Sequence, residues 1–126
     1  MKFEPNIPPR RYAAGNRKVV SINDIGRLQL SPDEQVTIVD EFGSELDVTR
    51  KEWGFYATPS LNGRLSTFGF RSALVRNGLG KYFVLLINRD KQLEFDKYMS
   101  EQGLTLTLWL DDGNELDKKL LKVGAS

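Results

Sequence analysis

The sequence contains no cysteine and no histidine. Without cysteine the chain forms no disulfide and offers no thiolate nucleophile, and without both residue types it lacks the usual ligands of structural zinc. The absence of histidine also removes the most common general base near neutral pH. The sequence therefore predicts no catalytic residue, no metal site and no cofactor, and it argues against an enzyme.

Long apolar runs are missing as well. The longest strongly apolar stretch, Tyr82–Ile87, is too short to span a bilayer, and the N-terminus lacks the continuous apolar core of a secretory signal. The share of hydrophobic residues is 40% and that of charged residues is 28%, which is typical of a soluble globular protein. These features predict a cytoplasmic protein with no membrane partner.

Prolines concentrate near the N-terminus, at Pro5, Pro8 and Pro9. Because proline donates no backbone hydrogen bond, this clustering predicts a flexible arm over residues 1–16 without regular pairing. An edge strand formed by "KFEP" is the alternative. The remaining residues, 17–126, have the length and composition of a single globular domain.

Hairpin patterns dominate the middle of the chain. The runs "QVTIVD" and "SELDVT" alternate around the turn "EFGS", and "WGFYAT" extends the same sheet. A second hairpin joins "FRSALVR" to "KYFVLLIN" through "NGLG". The near-continuous apolar character of Tyr82–Ile87 predicts that this strand is the central one and is buried on both faces.

One amphipathic helix is predicted near residues 91–102. Four residues recur there at helical spacing, namely Phe95, Tyr98, Met99 and Gln102. Gly103 suits the position that follows a helix. The following "LTLTLWL" predicts a strictly alternating strand, whereas residues 115–122 fit a strand or a helix equally well. The expected fold is a β-rich α+β domain with six to eight strands in a single curled antiparallel or mixed sheet, or a small barrel, and that one helix.

The formal net charge of +1 hides an uneven distribution. Residues 1–27 carry a net charge of +4, residues 28–49 of −6, residues 50–91 of +6 and residues 92–126 of −3. From Trp53 to Arg89 there is no acidic residue. Charge separation of this kind concerns the partners of a protein more than its fold.

The acid-free stretch supplies the candidate ligand site. Three arginines offer planar donors that suit phosphate or carboxylate groups, a tyrosine can stack on a ring, and an asparagine can form hydrogen bonds. The predicted binding residues are Tyr56, Asn62, Arg64, Arg71 and Arg76, with the loop of residues 59–66 as an adaptable lip. In the alternative interpretation, the arginines pair with the acidic residues 28–49 across the sheet, and no anion site exists.

Glu45 and Asp47 are two residues apart on one strand, so both carboxylates project from the same face. Paired carboxylates can perform acid and base catalysis. Since Leu46 and Val48 account for the buried face of the strand, a solvated acidic face is the favoured interpretation.

Four functions remain open. The first is a non-catalytic binding or accessory module for an anionic ligand such as a nucleotide, a nucleotide sugar or an acidic glycan. Single-stranded nucleic-acid binding also combines aromatic and basic residues, but the near-zero net charge disfavours it. A small carboxylate-dependent enzyme is the third. The fourth is a protein-interaction subunit whose aromatic face contacts a copy of itself or a larger partner.

Overall fold

A computed structural model describes residues 1–15, 17–57 and 60–125, without the side chains of residues 122–125. The expected end of the arm at residue 16, and the first residue of the expected lip, residue 59, therefore lie outside the described residues. The elements follow the order β1 (Lys2–Ala14), β2 (Val20–Gln29), β3 (Gln35–Val39), β4 (Glu45–Lys51), β5 (Gly54–Tyr56), α1 (Arg64–Thr67), β6 (Phe70–Arg76), β7 (Tyr82–Asn88), a 3₁₀ turn (Arg89–Lys91), α2 (Gln92–Gln102), β8 (Thr105–Trp109) and α3 (Gly113–Ala125).

The N-terminal residues form a long two-stranded antiparallel ribbon of β1 and β2. The irregular conformation expected from the prolines is wrong, because the ladder accommodates them. Pairing is regular up to Pro5 and again from Arg10, and the register shifts between these two residues, where Pro8 and Pro9 lie. A bulge can hold residues that lack a backbone donor. The division of the chain into an arm and one globular domain stays a prediction.

Strands β3, β4 and β5 form a second antiparallel sheet in that order, as the hairpin pattern predicts. Val36 lies opposite Val48 and Ile38 opposite Leu46, so the four apolar side chains share one face. The connecting turn is held by Asp40, whose Oδ1 accepts hydrogen bonds from the backbone of residues 42 and 44.

The third sheet contains the main core, and its strand order corrects the expected one. The order is β7-β6-β8, so β6 is central. Ala73 and Val75 of β6 are fully buried, whereas Tyr82 and Val84 of β7 are exposed. The strand at Tyr82–Ile87 is therefore an edge strand, buried on the one face that carries Ile87. The cluster consists of Ala73, Val75, Ile87 and Met99, with Leu85, Phe95, Leu104 and Trp109 packed against it.

Helix α2 confirms the predicted helix at residues 91–102. Phe95, Met99 and Gln102 are its inward side chains, and Tyr98 is largely exposed. Gly103 ends the helix in the left-handed conformation, with φ 64°. The left-handed region is favourable for glycine because it has no Cβ.

Two further regions differ from the expectation of one helix. The segment at residues 115–122, which fits a strand or a helix, is part of α3, and the loop after β5 contains the single helical turn α1.

In β8 the register shifts between the pairs Leu74–Leu108 and Val75–Leu106, so Thr107 is bulged and strict alternation fails. This bulge allows Leu104 and Trp109 to contact the same core.

The described residues thus form a β-rich α+β fold with eight strands, within the predicted range, but the strands divide into three sheets and form no closed barrel. Among the described residues up to 57, Leu30 is the one buried apolar side chain. None of the described helices combines the length and apolarity that a membrane span requires.

The accessible surface of the chain is unusually large for its mass. It measures 9149 Å². A compact monomer of 14.3 kDa exposes about 6,800 Å². The excess of about 2,300 Å² reflects the open ribbon and the thinly covered second sheet.

Candidate functional site

Arg64 is held by groups of the chain itself. Its Nε and Nη2 donate hydrogen bonds to Oδ2 of Asp47 at 3.0 and 2.8 Å. Its guanidinium carbon lies 4.6 Å from the centre of the Phe68 ring. Asp47 belongs to the acidic segment 28–49, so this contact matches the interpretation in which the arginines pair across the fold.

Arg71 is also paired, but with a different acidic segment. Its Nε and Nη2 donate to Oδ2 and Oδ1 of Asp111 at 3.2 and 3.3 Å, and its guanidinium lies 3.5 Å from the centre of the Trp109 ring. Asp111 is nearly buried, and its Oδ2 accepts a further hydrogen bond from the backbone N–H of Ser72. This arrangement ties β6 to the end of β8.

Arg76 lies at the other end of β6. It is exposed, its closest aromatic contact is the Tyr82 ring at 6.0 Å, and it makes no ion pair within the described part of the chain. It is five positions after Arg71, so the two side chains leave opposite faces of the strand about 17 Å apart. The two arginines therefore do not form one binding surface.

Tyr56 and Asn62 complete the predicted set. Tyr56 pairs with Thr49, which places its side chain on the face of the second sheet that also carries Asp47 and Arg64. Asn62 instead lies against α3, where its Nδ2 is 2.8 Å from the position that a Cβ on Gly113 would occupy. The structure thus brings Tyr56 and Arg64 to one face, while Asn62, Arg71 and Arg76 contact other elements. Ligand binding by these five residues stays a prediction.

Asp47, one of the two paired carboxylates, does not have the environment of a proton donor. Hydrogen bonds from the hydroxyl of Thr37 and from Arg64 hold the pKa of Asp47 below its ordinary value of 3.8. A general acid near neutral pH requires a raised pKa. Asp47 is therefore ionised at neutral pH and serves as the counter-ion of Arg64.

This environment predicts a specific dependence of stability on pH. Because the pKa of Asp47 is lower in the folded chain, its contribution to stability is complete well above 3.8 and is lost as the pH falls through the folded value. We expect Asp47→Asn to reduce the loss of stability between about pH 5 and pH 2.5, measured as the urea midpoint at each pH. An acid dependence identical to that of the unsubstituted protein would contradict the contact with Thr37 and Arg64.

Three neighbouring aromatic residues near the start of the acid-free stretch are exposed. Trp53 is 72% exposed, Phe55 is 62% exposed and Tyr56 is also exposed. They occupy the tight turn before β5 and the short strand β5 itself, which is the outer strand of the second sheet. We name these three residues the aromatic edge. The sequence signal for it is Gly54, the first residue of β5. Its φ of 148° favours glycine and marks the tight turn that precedes this short strand.

A cleft of about 310 Å³ lies between the third sheet and α2, away from this edge. Its walls are mainly apolar, with Val75, Phe83 and Leu85 on the sheet side and Tyr98 on the helix. None of the five predicted binding residues lines it.

Comparison of the chain with protein-family models, with curated proteins and with solved structures finds no match.

Proposed function

We propose that this protein is a non-catalytic protein-interaction subunit that docks onto a partner protein through the aromatic edge. One observation carries the proposal: in the acid-free stretch the arginines Arg64 and Arg71 bind carboxylates of the chain, while the aromatic edge faces solvent. Around these two arginines, the chemistry that the stretch still offers to a partner is therefore apolar and aromatic, while the exposed Arg76 lies at the other end of β6. Exposed tryptophan and tyrosine are typical of the residues that dominate binding energy in protein interfaces.

The shape of the edge supports the same function. Among the described residues, strand β5 pairs with β4 and with no other strand, so its outer side presents unpaired backbone groups beside the aromatic rings. An exposed edge strand is a common docking point for an extended segment of a partner. Phe55 and Tyr56 project from opposite faces of β5, so a partner strand added to it would contact both rings.

An anion-binding module is supported less well. A ligand such as a nucleotide sugar would have to displace two aspartates from their arginines. Asp47 would have to leave Arg64, which lies against Phe68, and Asp111 would have to leave Arg71, which lies against Trp109. Asp111 is nearly buried, so its displacement would leave a carboxylate without its partner. We also propose a cytoplasmic location, as the composition of the sequence predicts.

The proposal is tested by placing a photo-reactive benzoylphenylalanine at position 53 and, as a control, at position 93. Leu93 is also strongly exposed but lies on α2. We expect a protein adduct in cells from position 53 and none from position 93. With the purified partner, Trp53→Ala should weaken binding at least about tenfold, and Leu93→Ala less than about twofold.

A parallel NMR titration distinguishes the rival function. The probes are nucleotides, nucleotide sugars, an acidic oligosaccharide and oligonucleotides at low and moderate salt. Amide shifts around residues 60–76 that survive moderate salt, together with no adduct at position 53, would overturn the proposal in favour of an anion site. Adducts of equal yield at positions 53 and 93 would overturn it as well.

A further inference from the structure

The β1–β2 ribbon carries a second apolar surface. One of its faces carries three apolar cross-strand pairs: Phe3 with Leu28 at one end, and Tyr12 with Ile22 and Ala14 with Val20 at the other. The five larger side chains are all exposed. We name the surface formed by Phe3, Tyr12, Val20, Ile22 and Leu28 the ribbon face.

The ribbon receives little support from the rest of the chain. No residue of β1 or β2 is buried. Within the described residues, its hydrogen bonds to other elements lie at its two ends. At one end Gln102 bonds the backbone of Arg17 and Lys18; at the other, the terminal amino group contacts Glu34. A two-stranded ribbon without a packed face is marginally stable in water, so a second layer is needed against it.

Part of the exposed surface of the chain is available to a second copy. The excess of about 2,300 Å² is shared between the ribbon and the second sheet, and an obligate homodimer buries roughly 1,000–2,500 Å² on each subunit. The interface core of such dimers is apolar, as the ribbon face is.

The charges on the ribbon favour a second copy over an unrelated protein. Between the pairs Tyr12–Ile22 and Phe3–Leu28, and next to the first of them, Arg10 donates from Nε and Nη2 to Oδ2 of Asp24 at 3.2 and 2.9 Å. A twofold axis running along the ribbon, between its strands, would place β1 of each copy over β2 of the other. Each residue then meets its own cross-strand partner from the other copy, so Arg10 faces Asp24, and apolar residues face apolar residues.

We propose that the ribbon face is the contact between two copies of this chain, packed as two layers about such an axis with Arg10 of each copy opposite Asp24 of the other. The inference goes beyond the docking function of the aromatic edge, with which the ribbon face shares no residue. Trp53→Ala should therefore leave the mass of the assembly unchanged, so that the two proposals can fail separately.

The first test is the molar mass by sedimentation equilibrium at concentrations up to about 100 µM. We expect twice the chain mass of 14.3 kDa. Ile22→Asp, which places a charge in the ribbon face, should weaken association at least about tenfold. Leu79→Asp, a matched change at an exposed turn residue, should leave it intact. A monomer throughout, or equal effects of the two substitutions, would overturn the proposal.

The second test exchanges the charges of the ribbon. The double variant Arg10→Asp/Asp24→Arg keeps the ion pair within each chain and should form dimers with itself. In a mixed dimer with the unsubstituted chain, arginine would face arginine and aspartate would face aspartate, so native mass spectrometry should show few mixed dimers. Mixed dimers in statistical proportion would show that Arg10 and Asp24 do not meet across the axis, and the proposal would be wrong.

Discussion

Asp111→Ala is expected to lower the free energy of unfolding by about 2–3 kcal/mol. The side chain of Asp111 is 7% exposed and accepts hydrogen bonds from Arg71 and from the backbone of Ser72, a fully buried residue. Removing the carboxylate leaves a buried N–H without this acceptor. It also leaves a guanidinium, stacked on Trp109, without its counter-ion.

Urea unfolding followed by circular dichroism measures this effect, with Arg76→Ala as the control. Arg76 is exposed on the same strand, so its truncation should change the free energy of unfolding by less than about 0.5 kcal/mol. Arg71→Ala should fall between the two, since it removes the stacking cation and leaves Asp111 with the Ser72 hydrogen bond. If Asp111→Ala were as harmless as Arg76→Ala, the carboxylate would not be a structural partner, and Arg71 would again be a candidate anion ligand.

The features that depend on neighbouring residues were predictable from the sequence. The hairpins β3–β4 and β6–β7 follow from alternation around glycine-containing turns, and α2 follows from helical spacing ended by Gly103. In each case the residues that determine the element lie within it. Local signals of this kind therefore gave most strand boundaries and the position of the main helix.

The features that depend on distant residues were not predictable in this way. The apolar run Tyr82–Ile87 has the composition of a central strand, yet β8 pairs with β6, which leaves β7 at the edge. The prolines of β1 argue against a strand, but pairing with β2 on both sides of Pro8 and Pro9 overrides the local preference. Long-range pairing carries no local signature, so propensity alone cannot decide such cases.

The candidate site shows the same division. The absence of acidic residues around the arginines is a true property of the sequence, but it does not describe their surroundings in space. Arg64 finds Asp47 in the acidic segment that the pairing interpretation names, while Arg71 finds Asp111, forty positions along the chain, which that interpretation did not consider. What the sequence did identify is the stretch itself, whose exposed aromatic residues remain available after Arg64 and Arg71 are paired.

Ile87→Ala is expected to lower the free energy of unfolding by about 3 kcal/mol, whereas Val84→Ala on the same strand should cost less than about 1 kcal/mol. Ile87 is 5% exposed and packs in the core cluster, while Val84 is 60% exposed and projects from the opposite face of β7. The core is small, so losing three methyl-sized groups there removes a large part of a typical domain stability.

The pair of variants also reports on assembly. Measured by urea unfolding at low protein concentration, a small effect of Val84→Ala means that the outer face of β7 is open to water, as in the structure. A cost comparable to that of Ile87→Ala would mean that this face is covered, either by another part of the same chain or by a second copy, because a solvent-exposed valine loses little on truncation. Repeating the measurement at high protein concentration separates the two causes, since coverage by a second copy depends on concentration, whereas packing within one chain does not.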